Sequence, residues 1–116
     1  MEEKQYRQLV DEAFRRIDAA FENVDPDLAE STFSQGALTI VFRETQQLIL
    51  SPQAPTLQIW VAFRDRAWHF GLRPEGDGWV DDRGQGIDLF GLIADLARTA
   101  AGVTVTISRP QPKGVR

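Results

Sequence analysis

Apolar side chains fall at Tyr6, Leu9, Val10, Ala13, Phe14, Ile17 and Phe21. Steps of three and four place them in one stripe, which predicts an amphipathic helix over residues 3–23. Pro26 ends the pattern, because the residue before a proline is biased out of the helical region. The period then changes to two. Strands are expected over residues 30–34 (ESTFS), 37–42 (ALTIVF) and 47–51 (QLILS), the last two joined as a hairpin through RETQ. SPQAP reads as a proline-bounded turn outside any ladder. Leu57, Ile59, Val61 and Phe63 then alternate with Gln58, Trp60 and Ala62. The odd positions form the core face of a strand, which leaves Trp60 on the same side as a glutamine. Trp68, Phe70 and Leu72 continue the core face on the next strand, with His69 and Gly71 outward. A further strand is expected in GDGWVDD, residues 76–82, closed by the turn DDRGQG. Leu89, Leu92, Ile93 and Leu96 return to helical spacing and predict a helix over residues 87–101, stopped by Gly102. VTVTIS, residues 103–108, alternates as a last strand.

Short links between successive strands imply a mainly antiparallel meander, since parallel neighbours need long crossovers. Two amphipathic helices can cover one face of such a sheet. The expected fold is therefore α+β: a two-layer sandwich with two helices on one face of five to six strands, the other face open to water. Residues 1–108 read as a single domain and 109–116 as a frayed tail. Register follows from the alternation. Pairing Phe63 with Trp68 closes a four-residue loop and sets Val61 against Phe70 and Ile59 against Leu72. Trp60 then lies opposite Gly71, Ala62 opposite His69, and His69 diagonal to Trp60. A three-residue loop would set one strand's core face against the other's polar face.

Composition adds mostly exclusions. The 116 residues are 42% hydrophobic and 26% charged, which suits one globular core. The absence of cysteine removes disulfides, thiolate metal sites and cysteine nucleophiles, and fits a reducing compartment. MEEKQYRQLV lacks the basic region and apolar run of a signal peptide, so a cytoplasmic location is expected. The net charge of −4 is unevenly distributed: residues 1–30 hold nine acids against four bases. That acidity points away from nucleic acid and towards cations or basic protein surfaces. No nucleophile elbow, phosphate-binding loop, zinc-binding HExxH or dinucleotide glycine motif occurs, and His69 is the only histidine. The sequence thus carries no enzymatic constellation.

Two other constellations remain. Asp11, Asp18 and Glu22 share the helix face opposite the apolar stripe, and Asp25, Asp27 and Glu30 extend the strip into the first strand. Clustered carboxylates suit hard cations. The competing reading is a solvated face partly neutralised by i,i+4 pairs: Arg7 with Asp11, Asp11 with Arg15 and Glu12 with Arg16. Spacing alone favours that second reading. The other constellation is Gln53, Gln58, Trp60 and His69 on the open sheet face, where an exposed tryptophan is a typical interface anchor.

With these residues in place, the chain resembles the frataxin family in its bacterial branch. LILSPQAPTLQIWVAF followed by WHF resembles the family's core signature of a strand, a Gln-x-Pro turn and Gln-hydrophobic-Trp-hydrophobic. YRQLVDEAFRRID resembles its first helix, and GWVDDRGQGIDLFGLI its passage into the second. The resemblance implies a helix–sheet–helix sandwich and a non-enzymatic, monomeric protein of iron–sulfur cluster assembly. It implies weak binding of iron (Fe²⁺ or Fe³⁺) along an acidic ridge of Asp11, Asp18, Glu22, Asp25, Asp27 and Glu30. It further implies docking on a cysteine desulfurase and its scaffold partner through Gln53, Gln58, Trp60 and His69. The alternative is a small acidic chaperone-like module that binds an extended protein segment as a dimer. The chain departs from the family pattern at Arg7, where a histidine is frequent, at Ala19 and Asn23, where carboxylates are, and at Ala67, where a base is.

Overall fold

In the computed structural model, residues 1–73 and 78–109 are described. The first helix, α1 (Glu3–Ala20), buries Tyr6, Val10, Ala13, Phe14 and Ile17, the stripe set by its sequence period. Its regular hydrogen bonding ends one turn earlier than expected, and Phe21 caps it while remaining buried. Six strands follow: β1 (Ala29–Ser34), β2 (Ala37–Phe42), β3 (Gln46–Gln53), β4 (Gln58–Phe63), β5 (Arg66–Leu72) and β6 (Trp79–Asp81). They form one antiparallel sheet in the order β1-β2-β3-β4-β5-β6, so every ladder joins sequence neighbours. The second helix, α2 (Leu89–Ala101), starts at an N-cap, Asp88, whose carboxylate accepts the Gly91 N–H at 2.8 Å. It stops at Gly102, whose φ of 67° is the left-handed conformation glycine adopts without penalty.

Both helices lie on one face of the sheet. Leu38, Ile40, Phe42, Leu48, Leu50, Ile59, Val61, Phe63, Trp68 and Phe70 meet them in a single core cluster. The expected α+β two-layer sandwich is the observed fold. Trp79, which the alternation left open, is also core, its ring edge-on to Tyr6 with centroids 6.2 Å apart.

Four local expectations are corrected. First, the β4–β5 turn is two residues long, Arg64 and Asp65, so Val61 faces Trp68 and Ile59 faces Phe70. The pairing is shifted by two residues from the expected one. A two-residue shift keeps each side chain on its own face, so alternation does not distinguish the two registers. Arg64 permits the tight turn by taking a φ of 58°. Second, Pro52 lies inside β3, opposite Ile59. The β2–β3 ladder ends at Leu50, so beyond that point β3 is an edge on one side and tolerates a proline. Third, residues 103–108 form no strand. Val103 and Ile107 are buried and Val105 packs partly on the core, so the segment is extended along the core without joining a ladder. One-sided burial of an extended segment produces the same alternation as a ladder strand. Fourth, Arg109 is tied down rather than frayed: its guanidinium reaches both oxygens of Asp88, at 3.1 and 2.5 Å. Residues 110–116, and Gly76 and Asp77 of the expected strand, lie outside the described residues.

Candidate functional site

The two-residue turn sets Trp60 directly opposite His69 on the helix-free face. Indole and imidazole stack with planes 13° from parallel and centroids 4.2 Å apart. Trp60 is nevertheless 37% exposed, in contrast to its core-facing neighbours Ile59 and Val61. Gly71, expected opposite Trp60, lies instead opposite Gln58.

A chain of polar contacts holds the tryptophan. Its Nε1–H donates to Gln58 Oε1 at 2.9 Å, and Gln58 Nε2 donates in turn to Asp82 Oδ2 at 3.2 Å. The two partners orient the amide, because the indole can only donate and the ionised carboxylate can only accept. His69 Nδ1 lies 3.6 Å from the same Asp82 oxygen, an ion pair when the imidazole is protonated. The Asp82 backbone N–H also donates to the His69 carbonyl at 2.9 Å, which extends the β5–β6 register by one step.

Asp81 and Tyr6 support this arrangement from the core side. Asp81 is turned inward, and its carboxylate accepts the N–H groups of Ile87 at 2.8 Å and of Arg83 and Gln85 at 3.3 Å. Burial raises its pKa, but these backbone donors outweigh burial and hold it below the ordinary carboxylate value. An ionised side chain thus organises the β6–α2 loop from within, and Asp82 is the first residue of that loop. Tyr6 of α1 reaches the sheet at the start of β4. Its hydroxyl donates to the Gln58 carbonyl at 2.6 Å and accepts the Gln53 N–H at 2.9 Å, clasping both sides of the β3–β4 connection. Burial raises the Tyr6 pKa. Gln53 lies opposite Gln58 in the ladder, and its side chain makes no hydrogen bond among the described residues.

The acidic strip is built differently. Asp18, Glu22 and Glu30 border an open groove of about 290 Å³ together with Ser31. The Ser31 hydroxyl donates to Asp18 Oδ1, which links α1 to β1. Asp25 Oδ1 accepts the Asp27 N–H at 2.9 Å and shapes the turn before β1. Of the expected helix pairs, Glu12–Arg16 closes at 2.8 Å. Arg7 instead turns back to Glu3 at 3.0 Å, and no Asp11–Arg15 pair forms among the described residues. Asp11 is therefore less neutralised than spacing suggested. Among the described residues, however, no three His, Asp or Glu side chains are grouped to hold a metal ion. The strip provides a field of negative charge without a chelating pocket.

Comparison with known proteins decides the family. The family model of the frataxin-like domain matches residues 1–103. The chain belongs to the frataxin family. The iron-sulfur cluster assembly protein CyaY of Tolumonas auensis is 32% identical over 108 residues, covering 92% of this chain and 99% of its own length. The protein of the same name from Pseudoalteromonas atlantica is 31% identical over 111 residues, covering 95% and 98%. That of Aeromonas salmonicida is 32% identical over 105 residues, covering 90% and 97%. The solved frataxin from Psychromonas ingrahamii superposes with a TM-score of 0.83 at 23% identity, covering 93% of this chain and 99% of its own, and so shares the fold.

On this frataxin fold the structure gathers Gln58, Trp60 and His69 into one unit, with Gln53 beside it. It adds residues that patterning missed. Asp82 and Asp81 read as turn formers in DDRGQG, and Tyr6 as one more apolar position of a helix stripe. The available signal for Asp82 was its place one step beyond a strand whose neighbour carries the only histidine.

Proposed function

We propose that this chain is a non-enzymatic iron–sulfur cluster assembly protein that docks on a cysteine desulfurase and its scaffold partner and modulates sulfur delivery. The supporting observation is the exposed Trp60, stacked on His69 and hydrogen-bonded to Gln58 on the helix-free face. A large aromatic side chain held in one orientation loses little conformational entropy on binding, which makes it an efficient interface anchor. The names carried by the curated relatives support the process. The acidic strip on α1 and β1 supplies long-range attraction to a basic partner surface and speeds encounter.

Iron is proposed as weakly held cargo. Asp11, Asp18, Glu22, Asp25, Asp27 and Glu30 attract Fe²⁺ or Fe³⁺ through their collective charge, and the lack of a convergent group among the described residues supports an affinity no better than micromolar. The protein acts as a monomer in the cytoplasm. Among the described residues no helix is long and apolar enough to cross a membrane.

The deciding experiment measures activity of the cognate desulfurase, with and without iron, in the presence of wild type and Trp60→Ala, alongside a pull-down of the complex. Wild type alters the rate and Trp60→Ala does so at least tenfold less potently. No effect of the wild-type protein on rate or complex formation rejects the proposal. Anaerobic Fe²⁺ titration tests the cargo role, and sub-micromolar stoichiometric binding contradicts it. A dimer by light scattering would favour the chaperone-like alternative.

A further inference from the structure

We infer that Asp82 is the positioning residue of the Trp60 platform, acting through the Gln58 amide; this deepens the docking reading and rests on it only for its functional consequence. Gln58 is a symmetric-looking amide with two possible orientations, and only one serves the tryptophan. With Oε1 towards the indole, a donor meets an acceptor. With the amide reversed, the NH₂ group meets the indole N–H, two donors face each other, and the hydrogen bond is lost. The Asp82 carboxylate at 3.2 Å selects the productive orientation, because it can accept only from the Nε2 side. The same carboxylate lies 3.6 Å from His69 Nδ1, so it also borders the ring on which Trp60 is stacked. One residue thus touches both supports of the tryptophan without being a partner in either the indole hydrogen bond or the ring stack.

Asp82 is itself placed by two independent restraints. Its backbone N–H is bonded to the His69 carbonyl. The loop that follows is wound around the inward carboxylate of Asp81 through three backbone N–H groups. The side chain of Asp82 remains exposed at the rim of an open groove of about 520 Å³, whose lining includes Arg66, His69 and Arg83. An exposed carboxylate on a fixed backbone suits a role in orienting neighbours, since removing it leaves no cavity in the core.

The test follows the Trp60 indole by nuclear magnetic resonance, with the three indole signals assigned using Trp60→Phe. In Asp82→Ala the Trp60 Nε1–H should exchange with water about tenfold faster and its side chain should gain mobility, while the Trp68 and Trp79 signals stay in place. Asp82→Asn, whose amide can turn an acceptor oxygen to Gln58 Nε2 but is not limited to accepting, should restore the slow exchange only in part. In a Gln58→Ala background, Asp82→Ala should have no further effect on the indole. A purely structural role predicts a different pattern, with all three tryptophans shifting and no rescue by asparagine. An unchanged Trp60 signal in Asp82→Ala overturns the inference. Desulfurase docking by the same variants is read separately. If Asp82→Ala loosens Trp60 and docking is unaffected, the positioning role stands and the docking role of Trp60 is rejected.

Discussion

Ile49 and Leu50 are neighbours on β3, yet they occupy opposite faces of the same sheet. Leu50 is fully buried beneath the helices, whereas Ile49 is 36% exposed among Thr39, Ala62 and the Trp60 side of the sheet. The covered face is almost wholly aliphatic and aromatic, and its packing holds the fold together. The open face carries a short polar chain, Trp60–Gln58–Asp82–His69, whose members restrain one another's orientation. Equal backbone positions thus serve different ends. Truncation on the covered face should cost stability, and truncation on the open face should cost docking.

The sharpest test of that division is Phe42→Ala. Phe42 is fully buried against Phe21 and Phe63, so its loss should destabilise the protein by about 3–5 kcal/mol in chemical denaturation. A loss below about 1 kcal/mol would break the comparison. Tyr6→Phe comes next. It deletes one hydroxyl that serves the backbone on both sides of the β3–β4 connection, and should cost about 1–3 kcal/mol. Because that connection sits beside Gln58, amide exchange at Gln53 should accelerate as well. Asp81→Asn probes the boundary between the faces. The folded pKa of Asp81 is depressed, so its stabilising contribution is complete above the ordinary carboxylate value near 3.8 and is lost as pH falls through the lower folded value. The variant should be less stable than wild type at neutral pH, and the gap should narrow in acid. A constant gap across that range would remove Asp81 from the account. Trp60→Ala should have the smallest effect on stability, under about 1 kcal/mol, with a docking loss of about 2 kcal/mol or more. A large loss of stability there would mean that the stacked pair is part of the core.

Much of the covered face was legible because burial imposes a period. The stripe from Tyr6 to Ile17 and the alternation through Ile59, Val61 and Phe63 each have one reading that buries apolar area. Gly102 was legible because a left-handed stop favours a residue without Cβ. The β4–β5 register was not, since a two-residue shift preserves every face and the turn residues Arg64 and Asp65 lack the glycine that usually marks a tight hairpin. Residues 103–108 misled for a related reason: extended chain packed on one side has the same period whether or not it pairs. On the open face Trp60 stood out as an apolar misfit, which sufficed to single it out as a candidate. Gln58 and His69 were picked out with it as residues of the same face, but Asp82 was not, because it acts through a directional hydrogen bond to a residue 24 positions away, which leaves no periodic trace.

The strictly sequential strand order also governs how the chain assembles. Each ladder joins strands that are neighbours in the sequence, so the sheet can zip up strand by strand with little loop-closure entropy at each step. The helices flank the sheet in sequence: α1 precedes all six of its strands, and α2 follows only after β6. During synthesis α1 has a partner as soon as β2 to β4 pair, while the apolar area meant for α2 stays uncovered until all six strands and α2 itself have been made. The apolar area beneath α2 is therefore the last of this core to be covered, and the Asp81-centred loop is the link that carries the helix back onto it.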